Sequence, residues 1–107
     1  MIERLEKRKM SKKPEQEARQ MALIYRSLGS EVRLKIINLI LSTNRPLHIQ
    51  AIATSLGRDY AGIYRQIRSL KNSGLVDIYE VGRSRVVSIK KAEELESLFQ
   101  ASRALIS

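Results

Sequence analysis

Residues 48–74 constrain the fold more than any other part of the chain. Ile49, Ile52, Ala53 and Leu56 recur at helical spacing, which predicts a short helix over His48–Leu56. A second helix is predicted over about Tyr60–Ser73, where Ile63, Ile67 and Leu70 stand at i, i+4 and i+7. Only Gly57-Arg58-Asp59 separates them, and this turn opens with glycine. Asp59 is suited to cap the second helix by accepting from a free backbone N–H, and Gly74 stops it. Two short helices joined by a three-residue turn with glycine are the signature of a helix-turn-helix.

The flanks complete the pattern. Met21, Ile24, Tyr25 and Leu28 predict a helix over Glu15–Leu28, ended by a left-handed Gly29. Ser30 is a good N-cap for a helix over Glu31–Leu41. Val32, Leu34, Ile36, Ile37, Leu39, Ile40 and Leu41 cover most of that helix's circumference, which marks it as the central buried one. Thr43-Asn44-Arg45-Pro46 is a polar break. Over Leu75–Ile89, Val76 and Ile78 alternate with other residues, as do Val87 and Ile89, and Gly82-Arg83-Ser84-Arg85 forms the tip of a β-hairpin. Lys91–Ile106 is the last helix, with Leu95, Leu98, Phe99, Ser102, Leu105 and Ile106 on one stripe. The predicted fold is mainly α with a small β-hairpin wing: a winged helix-turn-helix in the order α-α-α-α-β-β-α. The 107 residues suit one domain. Residues 1–14 are expected to be a basic arm, 15–90 the winged helix-turn-helix and 91–107 an amphipathic dimerisation helix.

Charge narrows the partner. Lys and Arg number 20 against 11 Asp and Glu, giving +9 and a pI near 10.3. Residues 57–90 hold seven basic and three acidic side chains, whereas residues 91–107 hold two and three. Residues 1–20 hold seven basic and four acidic side chains, so the excess lies in the N-terminal arm and the middle of the chain rather than on the last helix. A domain this basic attracts an anion, nucleic acid before an anionic membrane. Without cysteine there is no disulfide, thiolate nucleophile or thiolate metal site. The single His48 forms no His pair and suits a capping or surface role. No glycine-rich phosphate loop or convincing carboxylate pair is present, so no enzyme, cofactor or metal is expected. No apolar run approaches the ~20 residues of a membrane span, and Met1–Lys13 lacks the apolar stretch of a secretory signal. The expectation is a cytoplasmic, nucleoid-associated protein that does not contact membrane.

The helix from Tyr60 has two faces. Opposite its apolar side it shows Ala61, Arg65, Arg68 and Asn72, flanked by Tyr64 and Lys71. Arginine forks suit guanine O6 and N7 or phosphates, and a helix N-terminus favours a phosphate. Small Ala61 and Gly62 leave room for close approach. The expected DNA contacts are Arg58, Asp59, Tyr60, Ala61, Tyr64, Arg65, Arg68 and Lys71. Arg83, Ser84 and Arg85 of the hairpin are expected on the backbone or in the minor groove. Arg33 is expected to pack or pair within the fold.

The run Leu28-Gly29-Ser30-Glu31-Val32-Arg33-Leu34-Lys35-Ile36-Ile37 has a Leu, a capping residue, then Arg-Leu-x-Ile-aliphatic. The helix-turn-helix follows, and Leu70-Lys71-Asn72-Ser73-Gly74-Leu75-Val76 closes it before the Gly82-Arg83 tip. Over Leu28–Ile89 this resembles the ArsR-type winged helix regulators of bacteria and archaea, and MarR-type regulators share much of it. The resemblance implies operator binding by Asp59–Lys71 and Gly82–Arg85. It also implies subunit pairing through helices around Met21–Leu28 and Leu95–Ile106. The chain departs from the family at His48, where Ser or Thr is frequent, and at Tyr64-Arg65-Gln66, where Ser-x-His is frequent. Metal-sensing members use cysteines near Ile49–Ile52, and here there are none.

A homodimer is expected through Met21, Ile24, Leu28, Leu95, Leu98, Phe99, Leu105 and Ile106, with packing of the last helix's stripe on the chain's own core as the alternative. A two-fold dimer sets two recognition helices about 34 Å apart, facing successive major grooves. The expected function is a sequence-specific transcription regulator on double-stranded DNA. An architectural protein with little sequence preference and a winged helix used for protein contacts are the alternatives. No small-molecule effector can be inferred.

Overall fold

The computed structural model describes residues 13–106, so the basic arm expected over 1–14 lies almost wholly outside the described residues. Helix α1 spans Pro14–Leu28 and α2 spans Glu31–Thr43. Strand β1 (Leu47–His48) precedes α3 (Ile49–Leu56) and α4 (Tyr60–Asn72). Strands β2 (Val76–Val81) and β3 (Ser84–Ile89) form the hairpin, and α5 (Ala92–Ile106) follows. Among the described residues the result is a winged helix-turn-helix: five helices and a small antiparallel sheet in the order β1-β3-β2. No described helix is long and apolar enough to cross a membrane.

Local chemistry sets the helix ends. The Ser30 hydroxyl accepts from the Arg33 N–H at 3.3 Å, and an Asp59 carboxylate oxygen accepts from the Gly62 N–H at 3.2 Å. His48 is the N-cap of α3, without a side-chain capping bond. Gly57 ends α3 in the left-handed region at φ 65°. Gly29 does not behave as expected: its φ is −78°. The next residue, Ser30, is already the extended cap of α2, so α1 turns into α2 without a left-handed step.

The core joins all five helices to the hairpin. Ile36, Ile37, Ile49, Ile52, Ile63, Ile67, Leu70, Val76 and Val87 are fully buried. Helix α2 is less enclosed than its composition suggests. Ile36, Ile37 and Ile40 turn inward, while Leu34 reaches the surface beside α5.

Strand β1 was not foreseen. Its two residues are too few to display an alternating pattern, yet Leu47 pairs with Val87 and His48 with Val86. This third strand ties the start of α3 to the hairpin. The hairpin tip is narrower than the four residues expected. Val81 pairs with Ser84, so only Gly82-Arg83 forms the turn, with Gly82 at φ 63°. Ser84 and Arg85 therefore belong to β3.

Candidate nucleic-acid interface

Helix α4 presents the two faces expected of it. Ile63, Ile67 and Leu70 are buried, while Ala61, Arg65, Arg68, Lys71 and Asn72 are exposed. Arg58 and Asp59 are exposed in the preceding turn, and Tyr60 and Tyr64 are half-buried. Gly62 has a reason beyond external access. A Cβ there would come within 2.7 Å of Asp59 Oδ1, so the cap needs the space. Asp59→Ala removes that cap and is expected to cost about 1 kcal/mol of stability, read as a lower urea midpoint at unchanged slope.

One side chain of the wing, Arg85, lies over the aromatic residues of this helix. In β3, residues Arg85, Val87 and Ile89 stand two apart and share a face, opposite Glu80, Ile78 and Val76 of β2. That face packs on the core, so Arg85 is carried toward α4 and is half-buried. Its guanidinium carbon lies 4.6 Å from the centre of the Tyr64 ring. The Tyr64 and Tyr60 rings stack at 6.3 Å. Arg68 Nη1 donates to the Tyr64 hydroxyl at 3.2 Å, and the Arg68 guanidinium lies 5.9 Å from the same ring centre.

The charges leave a mark on these groups. The hydrogen bond from Arg68 is the main reason that the Tyr64 phenol lies below its ordinary pKa. Partial burial opposes that shift, and the positive charges of Arg85, Arg68 and Lys71 add to it. Arg85 is held more firmly protonated, first by its hydrogen bond to Tyr60 and then by the Tyr64 and Tyr60 charges. Among the described residues, Arg58, Arg65, Arg68, Lys71, Arg83 and Arg85 form no ion pair with a carboxylate. Arg83 and Ser84 are exposed at the far end of the wing. Cations are thus gathered along one helix face and one hairpin, with aromatic rings between them, and Glu80, the cross-strand partner of Arg85, is the acidic side chain that acts on Arg85.

Arg33 pairs within the fold. Its Nε donates to the Ser27 carbonyl at 2.6 Å and its Nη2 to the Arg26 carbonyl at 3.5 Å, both at the end of α1. Its Nη1 donates to Gln66 Oε1 at 2.9 Å, so this α2 side chain joins the end of α1 to the inner flank of α4. The role of Gln66 was not legible, because no short-range pattern joins residues 33 positions apart.

The residues expected to pair two subunits divide into two sets. Leu28, Leu95 and Phe99 lie in the chain's own core. Their burial follows from α5 packing back over α1 and α2, so they do not form an exposed seam. Ile24 and Leu98 are half-buried. Met21, Leu105 and Ile106 are exposed, the last two at 87% and 86%. Tyr25 and Leu34 are also exposed, and with Leu98 and Ile106 they line a groove of about 360 Å³ between α1, α2 and α5.

A family model described as HVO_A0114 matches residues 29–94, more than half of the chain. Among solved structures, the transcriptional regulator homologue protein from Pyrococcus horikoshii OT3 is 31% identical with a TM-score of 0.67. That alignment covers 76% of this chain and 85% of the other. A homodimeric winged helix-turn-helix DNA-binding domain from Mycobacterium bovis, from a possible ArsR-family transcriptional regulator, is 24% identical with a TM-score of 0.76. It covers 88% of this chain and 87% of its own. NolR from Sinorhizobium fredii shares the fold at 16% identity and a TM-score of 0.72, covering 91% of this chain and 95% of its own. No curated protein sequence matches the chain. With the matched family model spanning the whole helix-turn-helix and wing, the chain belongs to the HVO_A0114 family and has the ArsR-type winged helix-turn-helix fold.

Proposed function

We propose that this protein is a transcription regulator that binds a specific site on duplex DNA as a homodimer. The observation that carries this reading is the gathering of cations over α4 and the wing, none of them in an ion pair with a carboxylate among the described residues. Such a surface is costly to assemble without an anion to neutralise it. Helix α4 enters the major groove with Arg65 and Arg68 toward base edges. Arg58, Lys71 and the hydroxyls of Tyr60 and Tyr64 follow the phosphates, and the first turn of α4, with Asp59 and Ala61, lies close to the duplex. Arg83 and Ser84 reach the flanking backbone or minor groove.

The homodimer uses the exposed apolar side chains of α1 and α5. Met21, Tyr25, Leu105 and Ile106 stand uncovered in one protomer, and large apolar surfaces of this kind mark contact sites. The Mycobacterium bovis domain of the same fold is described as homodimeric and DNA-binding, which supports both parts of the reading. A two-fold pair of α4 helices calls for an inverted repeat with half-sites about one helical turn apart. Residues 91–107 thus serve two ends, closing the core with one side of α5 and meeting the second copy with the other.

Selection of bound fragments from random duplex DNA tests this function. The expected result is one inverted-repeat motif bound at least about a thousandfold more tightly than bulk DNA at physiological salt. Binding without any motif would make the protein architectural, and no binding would turn the basic surface toward an acidic protein.

A further inference from the structure

We propose that Arg85 is a positioning residue that clamps the wing to the recognition helix and so fixes the distance between the two DNA-reading elements. The proposal rests on the DNA-binding reading for its purpose, but not for its geometry. Three observations converge on it. The strand alternation that buries Val87 and half-buries Ile89 carries Arg85 inward with them, unlike Arg83 at the tip. Its guanidinium then meets the face of Tyr64 at 4.6 Å, one turn along the helix from Tyr60. The two rings are stacked on each other, so the platform that receives Arg85 is itself ordered.

The hairpin beyond this point has little else to hold it. Its outer residues Tyr79, Glu80, Val81, Gly82, Arg83 and Ser84 are all exposed. The paired strands fix their own register but not the angle at which the hairpin leaves the body. Arg85, two residues past the Gly82-Arg83 turn, touches α4 through the Tyr64 ring. Its planar fork suits it to stack and donate together, which a lysine ammonium does not do. Arg68 shares the same ring through its bond to the Tyr64 hydroxyl. The recognition-helix arginine and the wing are therefore set by one aromatic side chain.

Amide hydrogen exchange across residues 79–85 tests this clamp in the full chain without DNA. Arg85→Ala and Tyr64→Leu are each expected to speed exchange there about two- to fivefold, the change permitted by loss of one exposed cation–π contact. The double variant should exchange no faster than either single one, because both remove the same contact. Tyr64→Phe keeps the ring and should keep the slow rate. On the selected duplex, Arg85→Ala should weaken binding while the salt dependence keeps its slope. Wild-type exchange in Arg85→Ala, or additive acceleration in the double variant, would overturn the clamp. So would a slope lower by about one, the mark of a lost phosphate contact. Because exchange is read without DNA, a wild-type protein that binds no duplex would remove the regulator reading and leave the clamp to be decided on its own.

Discussion

Replacing Arg65 and Arg68 together by alanine is expected to weaken binding to the selected duplex by roughly 2–6 kcal/mol, at about 1–3 kcal/mol for each base-directed arginine. Both side chains are exposed and neither contributes to the core, so the fold should survive. Arg68 should be the larger of the two. Its guanidinium is already oriented by the Tyr64 hydroxyl, so less rotational freedom remains to be lost on binding. Titration of labelled duplex at fixed salt, with a thermal melt in parallel, separates lost contacts from lost structure. A double variant that binds like wild type would take α4 out of the interface.

The second large effect concerns assembly. Leu105→Glu with Ile106→Glu is expected to halve the mass in solution, from twice 12.2 kDa to 12.2 kDa. Covering a leucine or isoleucine contributes about 1.5–3 kcal/mol, and a two-fold seam repeats each residue. Four carboxylates in that seam would reverse the balance. Leu95 and Phe99 are the wrong targets for this experiment, since charging either would damage the protomer's own core. The separated protomers should lose about a hundredfold or more on an inverted repeat, because one half-site no longer holds the other close. Light scattering and titration read the two effects, and an unchanged mass would put the seam elsewhere.

The sequence made α4 legible because its period is strong and its ends carry their own signals. Ile63, Ile67 and Leu70 can share only one side of a helix, and Asp59 and Gly74 mark its limits. The stripe on α5 was ambiguous for a physical reason. Spacing tells which residues share a side, but not whether the chain or a second copy covers them. Leu95 and Phe99 went inward, whereas Leu105 and Ile106 lie beyond the reach of the core. Strand β1 is defined only by its partner, so its two residues carried no pattern of their own. Arg85 was readable in principle, standing two and four residues before Val87 and Ile89 on the same strand face. Grouping it with Arg83 as a tip residue concealed that alternation. Its meeting with Tyr64 depends on the hairpin folding back over α4, which local spacing does not report.

The links at the end of α1 bear on how the chain unfolds. Arg33 holds the carbonyls of Arg26 and Ser27 while it bonds to Gln66. The Ser73 hydroxyl, just past α4, donates to that of Ser27 at 2.8 Å. The last turn of α1 is thus fastened to the middle and the C-terminal end of α4, and it should melt with that helix. The first turns, from Pro14 to Gln20, bury nothing and can fray while the remainder stays folded.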